Sequence, residues 1–348
     1  ISDNPYPVLF DQLGQVYSPG TFMTNYLSIG QRRGNASINA SFQNTRDQGI
    51  LNILDGFERR NFRVNANLQV TDRLNLQTGA FFATSNADQP DEGNVFFGLR
   101  MLEPNIDLAA TVNGIPYNPL VRQTGRTGNV SNPLYSAANQ ENSVERDRFT
   151  GFARASWQAL DWLTIDGNLN YDTGDERQKN FTPLGFLNSS GNESEGSLFQ
   201  AERSTRAYNI GASATAIRRF GDFTNTTKLA WVYEDQTNRS LSVLAQSLAL
   251  PRVPEFSGVN RDNLVPGSLT QEIRNNNVFF ISTLDWRDKV IVDGLVRQDQ
   301  SSLFGKDQRS ATYYRASAVY RVSQDFDLPN VDEFKLRASI GTAGLRPV

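Results

Sequence analysis

"NVFFISTLDWRDKVIVDGLVRQDQSSLFGKDQR", residues 277–309, holds two alternating apolar stretches joined by a charged knot, then a run with almost no apolar content. The first stretch is read as a ribbon with Phe280, Leu284 and Trp286 on one side and Ser282 and Asp285 on the other. The run that follows carries Ser301, Gly305, Lys306 and Arg309, none of which can hold a core. Which solvent each face meets decides the fold.

The same period of two recurs along the chain. "ASINASF" sets Ala36, Ile38, Ala40 and Phe42 against Ser37, Asn39 and Ser41, and "NFRVNANLQV" sets Phe62, Val64, Ala66, Leu68 and Val70 against Arg63, Asn65, Asn67 and Gln69. "TIDGNLNY" (164–171), "AYNIGASATA" (207–216) and "EFKLRASI" (333–340) alternate in the same way. Strict alternation indicates strands with one apolar and one polar face. About twelve ribbons follow, at 20–32, 35–46, 57–70, 73–87, 145–158, 162–176, 201–218, 222–236, 270–286, 289–301, 311–323 and 333–343. At roughly 11 to 18 residues each, they are longer than the 5 or 6 of an ordinary soluble strand.

The connections sort by length. Short turns fall at 32–35, 71–73, 159–162, 220–222 and 286–289, with a slightly longer one at 324–332. Long links fall at 47–56, 88–144, 177–200, 237–269 and 302–310. In an antiparallel sheet this puts every tight turn at one end and every long loop at the other. Trp162, Phe220 and Trp286 mark the tight-turn end. A soluble sandwich also alternates, but with shorter strands and unsorted loops. Long alternating strands, sorted loops and aromatic girdles together describe an all-β, antiparallel transmembrane β-barrel, apolar face toward lipid and polar face toward the lumen.

Composition agrees. Hydrophobic residues make up 38% of 348, yet aromatics reach 11%, which suits thin apolar surfaces better than a thick core. Mean hydropathy is -0.47, as expected when only half of each strand is apolar. The net charge of -3 offers no basic excess for nucleic acid. With no cysteine and no histidine, disulfides, thiolate chemistry, Ser-His-Asp triads and the common zinc sites are excluded. The chain opens on Ile1 and closes on "GTAGLRPV" in mid-pattern, so residues 1–348 are expected to be an internal part of a larger barrel domain.

Residues 275–342 resemble the barrel of the SusC/RagA-type TonB-linked outer-membrane transporters. The matching residues are the turn Arg287, Asp288 and Lys289, then Arg297, Asp299, Ser301, Ser302, Phe304 and Gly305, and finally Lys335, Leu336, Arg337, Ala338, Ser339, Gly341 and Gly344. Gln300 departs where glycine is usual, and Leu303 where arginine is common. "NASFQNTRDQGIL" and "RRNFRVNANLQVTDRLNLQTGAFF" are similar to upstream hairpins of that family. The resemblance implies a 22-stranded barrel with a plugged lumen, of which this chain supplies about half the strands. The plug, the segment that engages TonB and the remaining strands are expected outside this sequence. It further implies active uptake of a bulky polar nutrient, an oligosaccharide or peptide, with a SusD-like surface lipoprotein, the inner-membrane TonB complex and outer-membrane lipid as partners. Alternatives of other classes are a non-transporting surface receptor, adhesin or scaffold, and a siderophore-type TonB-dependent receptor.

No residue pattern supports an enzyme, a cofactor or a dedicated metal site, and no substrate-binding residue is assigned. "DQPDEGN" (88–94) could hold calcium through oxygen ligands but lacks the spacing of a recognised calcium loop, and "GNESEG" (191–196) reads the same way. Both fit solvated loops better. Loop 88–144 carries Phe96, Phe97, Tyr117 and Tyr135 among Pro104, Pro116, Pro119 and Pro133. These rings either stack on a ligand or pack the loop onto its neighbours.

Overall fold

A computed structural model describes residues 8–89, 92–111, 114, 117–122, 129–188, 190–305, 309–326 and 329–344. Twelve long strands form one antiparallel sheet: β1 (Phe22–Arg33), β2 (Ala36–Asp47), β3 (Phe57–Thr71), β4 (Leu74–Asp88), β7 (Glu141–Leu160), β8 (Leu163–Thr182), β9 (Ser197–Phe220), β10 (Phe223–Gln246), β11 (Leu264–Trp286), β12 (Val290–Ser301), β13 (Ser310–Arg321) and β14 (Lys335–Gly341). Each pairs with its neighbour in sequence. A small hairpin, β5 (Leu120–Arg122) with β6 (Asn129–Ser131), lies in the loop between β4 and β7, beside helices α2 (Glu92–Arg100) and α3 (Pro133–Asn139). Helix α1 (Gln12–Val16) precedes the sheet.

Register shows that the strands are tilted. The cross-sheet row Ala36–Leu68–Leu76–Ala155–Gly167–Ala212–Trp231 crosses six strand spacings. Ala36 opens its strand, but Trp231 stands eight residues beyond Phe223, the first residue of β10. That is ~26 Å of climb along the strand over ~29 Å across it, a tilt of about 40°, within the range of membrane barrels.

The apolar face is exposed throughout. Ile38, Phe62, Leu68, Leu169, Ile210, Leu229, Phe280, Val296 and Ile340 all lie open on it. In water such a surface would cost far more than a fold could bear; in lipid it is the ground state. Aromatic rows bound it. Phe42, Phe62, Phe82 and Phe149 stand directly opposite one another across four strands. The row continues through Tyr171 and Tyr208, ring centroids 6.1 and 4.9 Å apart. Trp231 stacks on Tyr233, and its indole N–H donates to Asn276 Oδ1 at 2.6 Å. At the tight-turn end Phe223 stacks on Trp286 at 6.4 Å, beside Phe220. Eight residues separate Phe149 from Trp157 and Val278 from Trp286, which at this tilt gives a band ~20 Å tall.

The tight turns are tied to one another. Arg287 and Asp288 both adopt positive φ, and Asp288 N–H donates to Asp285 Oδ1 at 2.7 Å. Arg287 pairs with Asp222 of the next hairpin at 2.5 Å, Arg73 with Asp161 at 2.5 Å, and Arg321 with Asp288. Each exposed pair is worth at most about 1 kcal/mol, but together they link neighbouring hairpin tips.

Three expectations are corrected. Ser282 shares the face of Phe280, as a period of two requires, and its Oγ bonds Thr227 Oγ1 at 3.0 Å and accepts from Asn225 Nδ2 at 3.1 Å. The lipid face therefore carries a small, internally satisfied polar cluster. Strands β7 to β11 overrun the predicted ends: β10 continues to Gln246 and β11 begins at Leu264, so the range of lengths is 7 to 24 residues. Links 177–200 and 237–269 shrink accordingly to 183–196 and 247–263.

Candidate functional site

The polar face of the sheet and the long-loop end form the candidate site. Along the polar face, cross-strand register sets Arg59, Ser85, Arg146, Glu176 and Arg203 in one row beyond the upper aromatic girdle. Glu176 bridges two arginines, at 2.7 Å to Arg146 Nε and 2.6 Å to Arg203 Nη1. The hydrogen bond from Arg146, followed by that from Arg203, holds the Glu176 carboxyl below its ordinary value against partial desolvation. Nearer the girdle, Arg148 forks onto Asp172 with Nη2 at 2.6 Å and Nε at 3.2 Å. Arg63 lies over the Phe81 ring at 5.1 Å and Arg154 over Phe152 at 5.1 Å. Between the girdles this face is rich in carboxamides, with Asn168 Nδ2 donating to Asn209 Oδ1 at 3.4 Å. Asn275 Nδ2 donates to Glu234 Oε2 at 3.0 Å.

The residues that carry the family resemblance do structural work. Ser301 is buried at the end of β12, its N–H on Arg309 O and its Oγ accepting from Leu303 N–H. Ser302 ties back to Arg274 through both backbone and side chain. Arg297 pairs with Asp299 and lies 4.9 Å over Phe279 on the polar face. A Cβ on Gly344 would enter the Tyr313 phenol.

The long loop 88–144 is not structureless. Val16, Val95, Leu99, Leu102, Leu108, Val121 and Leu134 form a buried core joining α1, α2, β5 and α3, with Leu51 and Ile53 packed against it. Gln12 and Gln15 clamp α1 to residues 103–108, and buried Asn132 caps α3 while donating to Leu108 O at 2.8 Å. A second core, Phe181, Leu198, Ala245 and Leu248, supports the overrunning ends of β8 to β10.

Of the four rings singled out in this loop, Tyr135 is 4% exposed, stacks on Phe186 at 5.0 Å and accepts from Leu187 N–H at 3.1 Å. Tyr117 packs on the core, Phe96 is exposed, and the Phe97 side chain lies outside the described residues. Packing explains Tyr117 and Tyr135; among the described rings of the four, Phe96 alone is exposed. Pro116 also lies outside the described residues. In 88–94, Asp88 Oδ2 accepts from the N–H groups of Asp55 and Gly56 at 2.8 and 3.2 Å, and the side chains of residues 90–94 lie outside the described set. In 191–196, Glu195 accepts from Ser247 Oγ. Both acidic groups act as loop clamps. No group of three or more His, Cys, Asp or Glu placed to hold a metal occurs among the described residues.

Tilted antiparallel strands, a lipid-type outer band and a polar inner wall define the wall of a transmembrane β-barrel. Comparison with known proteins shows which barrels this wall is similar to. No family model matches the chain. It is 23% identical to TonB-dependent receptor P26 of Formosa agariphila, over 96% of this chain and 34% of that protein. The RagAB peptide transporter superposes with a TM-score of 0.76 at 18% identity, over 96% of this chain and 38% of that one. Its 'open-open' state gives 0.75 at 17%, over 98% and 39%. The ferric citrate transporter FecA gives 0.53 at 9%, over 92% and 41%. These likenesses bear out the resemblance to SusC/RagA-type TonB-linked barrels. The chain spans about a third of the length of the curated relative it matches.

Proposed function

We propose that this chain forms part of an outer-membrane transporter that takes up a bulky polar nutrient with energy delivered through TonB. The observation that carries the reading is the two-faced wall: an apolar band bounded by aromatic rows outside, and a wall of carboxamides, hydroxyls and paired charges inside. Such a wall serves polar solutes and would reject greasy ones. The higher similarity to RagAB than to FecA supports a SusC/RagA-type system over a siderophore-type receptor. On this reading β1 and β14, each paired on one side only among the described residues, join further strands of a larger barrel, because lipid leaves no edge backbone unpaired. A plug fills the lumen, and a SusD-like lipoprotein sits over the loop end that carries the α1–α3 core.

Deleting the gene should abolish uptake of labelled oligosaccharides or peptides, and collapsing the proton-motive force should stop uptake in the parent strain. Unchanged uptake in the deletion strain would leave a surface receptor or adhesin as the better reading. Co-purification of a lipoprotein from detergent-solubilised outer membrane tests the partner.

A further inference from the structure

Resting on the transport reading, this inference concerns which polar nutrient the wall accepts. The two faces of the sheet divide charge unequally. Lumen-facing strand positions hold fourteen Lys and Arg against eight Asp and Glu, while the opposite face holds nine of each. The lumen wall is thus cationic by six charges in a chain whose net charge is -3. Nothing in the fold of a strand demands this, because a lumen filled by water or protein needs polarity and not one sign.

The excess peaks at the mouth. Arg59, Arg63, Arg146, Arg148 and Arg203 face Asp172 and Glu176, five cations against two acids. Arg146 and Arg203 share the single Glu176, so neither is neutralised, and each side chain remains about half exposed. Arg59 and Arg63 have no carboxylate within ion-pair distance among the described residues; Arg59 Nε donates to Asn61 and Arg63 lies over Phe81. Guanidinium groups fixed by such contacts present planar forks suited to carboxylate and sulfate. Arg59, Arg146 and Arg203 occupy every second strand of one row, about 10 Å apart by strand spacing. An extended peptide repeats same-side groups at about 7 Å, which does not match. A chain of linked pyranose rings that carries an acid on each residue and turns those of alternate residues to the same side does, and Asn61 and Asn238 in the next row are placed for hydroxyls.

We propose that this arginine arc selects an acidic oligosaccharide, one bearing carboxylate or sulfate groups along its length, at the mouth of the lumen.

The test is titration calorimetry on the intact protein extracted from outer membranes, with short oligogalacturonates, neutral malto-oligosaccharides of equal length and oligoglutamate as probes. Oligogalacturonate should bind, with affinity falling as salt rises, and R146Q/R203Q should weaken it by at least about tenfold. R146K/R203K, which keeps the charge, should recover most of that loss. Heat-modifiable migration on gels checks that each variant remains a folded barrel, and the salt dependence of the parent protein stands as the readout if one does not. Malto-oligosaccharide binding as tight as oligogalacturonate, or an R146Q/R203Q variant indistinguishable from the parent, overturns the proposal. Tighter binding of oligoglutamate overturns the sugar assignment. Uptake of any nutrient driven by the proton-motive force, together with failure of these titrations, removes the arc's role and leaves transport intact; oligogalacturonate binding without uptake does the reverse.

Discussion

Exchanging two adjacent residues, Lys228→Leu with Leu229→Lys, tests the assignment of faces without changing composition. Leu229 is 54% exposed on the apolar face, six residues from the tight turn at Phe223, while Lys228 faces the lumen. Six residues at the observed tilt place Leu229 ~15 Å above the tight-turn rim, well inside the hydrocarbon. A lysine there costs ~2–4 kcal/mol, partly relieved by reaching toward the nearer boundary, whereas Lys228→Leu alone replaces a half-buried cation on the lumen face and should cost less than ~1 kcal/mol. The assay is urea unfolding of the intact protein in phospholipid vesicles, followed by tryptophan emission. Trp231, two residues away on the same face, reports the same strand. The exchange should lower stability by about 2 kcal/mol or more relative to Lys228→Leu. If instead the exchange is neutral and Lys228→Leu is the damaging change, the apolar face does not meet lipid and the barrel reading fails.

Gly79→Ala should cost ~1–3 kcal/mol, since its Cβ would stand 2.5 Å from the Phe152 ring and 2.6 Å from Asn65 Oδ1; Gly167→Ala, with nothing within 4 Å, should be neutral or slightly stabilising in the same unfolding assay. Leu108→Ala empties a fully buried position of the core that joins α1, α2, β5 and α3 and should destabilise it by about 2–5 kcal/mol, read as faster proteolysis between β4 and β7 while the barrel remains resistant. Because the Glu176 carboxyl is held below its ordinary value, the stability it confers is present above the unfolded glutamate range and is lost as pH falls through the lowered folded value. Its partial exposure keeps that contribution below ~1 kcal/mol, and a carboxyl NMR titration should show its midpoint under that of an exposed glutamate. At the tight-turn rim, Asp325 is likewise lowered, first by the hydrogen bond from Lys289 and then by Tyr320; Lys289→Met should return its titration toward the ordinary aspartate value.

Sequence alone determined the twelve strands, their antiparallel order and the sorting of turns from loops. The physical reason is that lipid demands an apolar residue at nearly every second position, so the signal survives without any knowledge of partners. Where that demand stops, so does legibility. Residues 237–246 continue β10 above the band, where both faces meet water or loop and no alternation is required; pairing with β9 and β11 extends the strand instead. Loop 88–144 hid its core for a related reason. Val16, Leu99, Leu108 and Leu134 are far apart in the chain and show no common period, and only folding brings α1 onto residues 102–108. Tyr135 reads as a candidate ligand ring by composition, yet its place against Phe186 depends on a loop some fifty residues further along. The arginine arc is the same case. Arg146, Glu176 and Arg203 meet because β7, β8 and β9 register at those positions, and the excess of positive charge appears only when each residue is assigned to a face. Alternation is a property of one strand; pairing, enclosure and the sign of the lumen belong to strands held side by side.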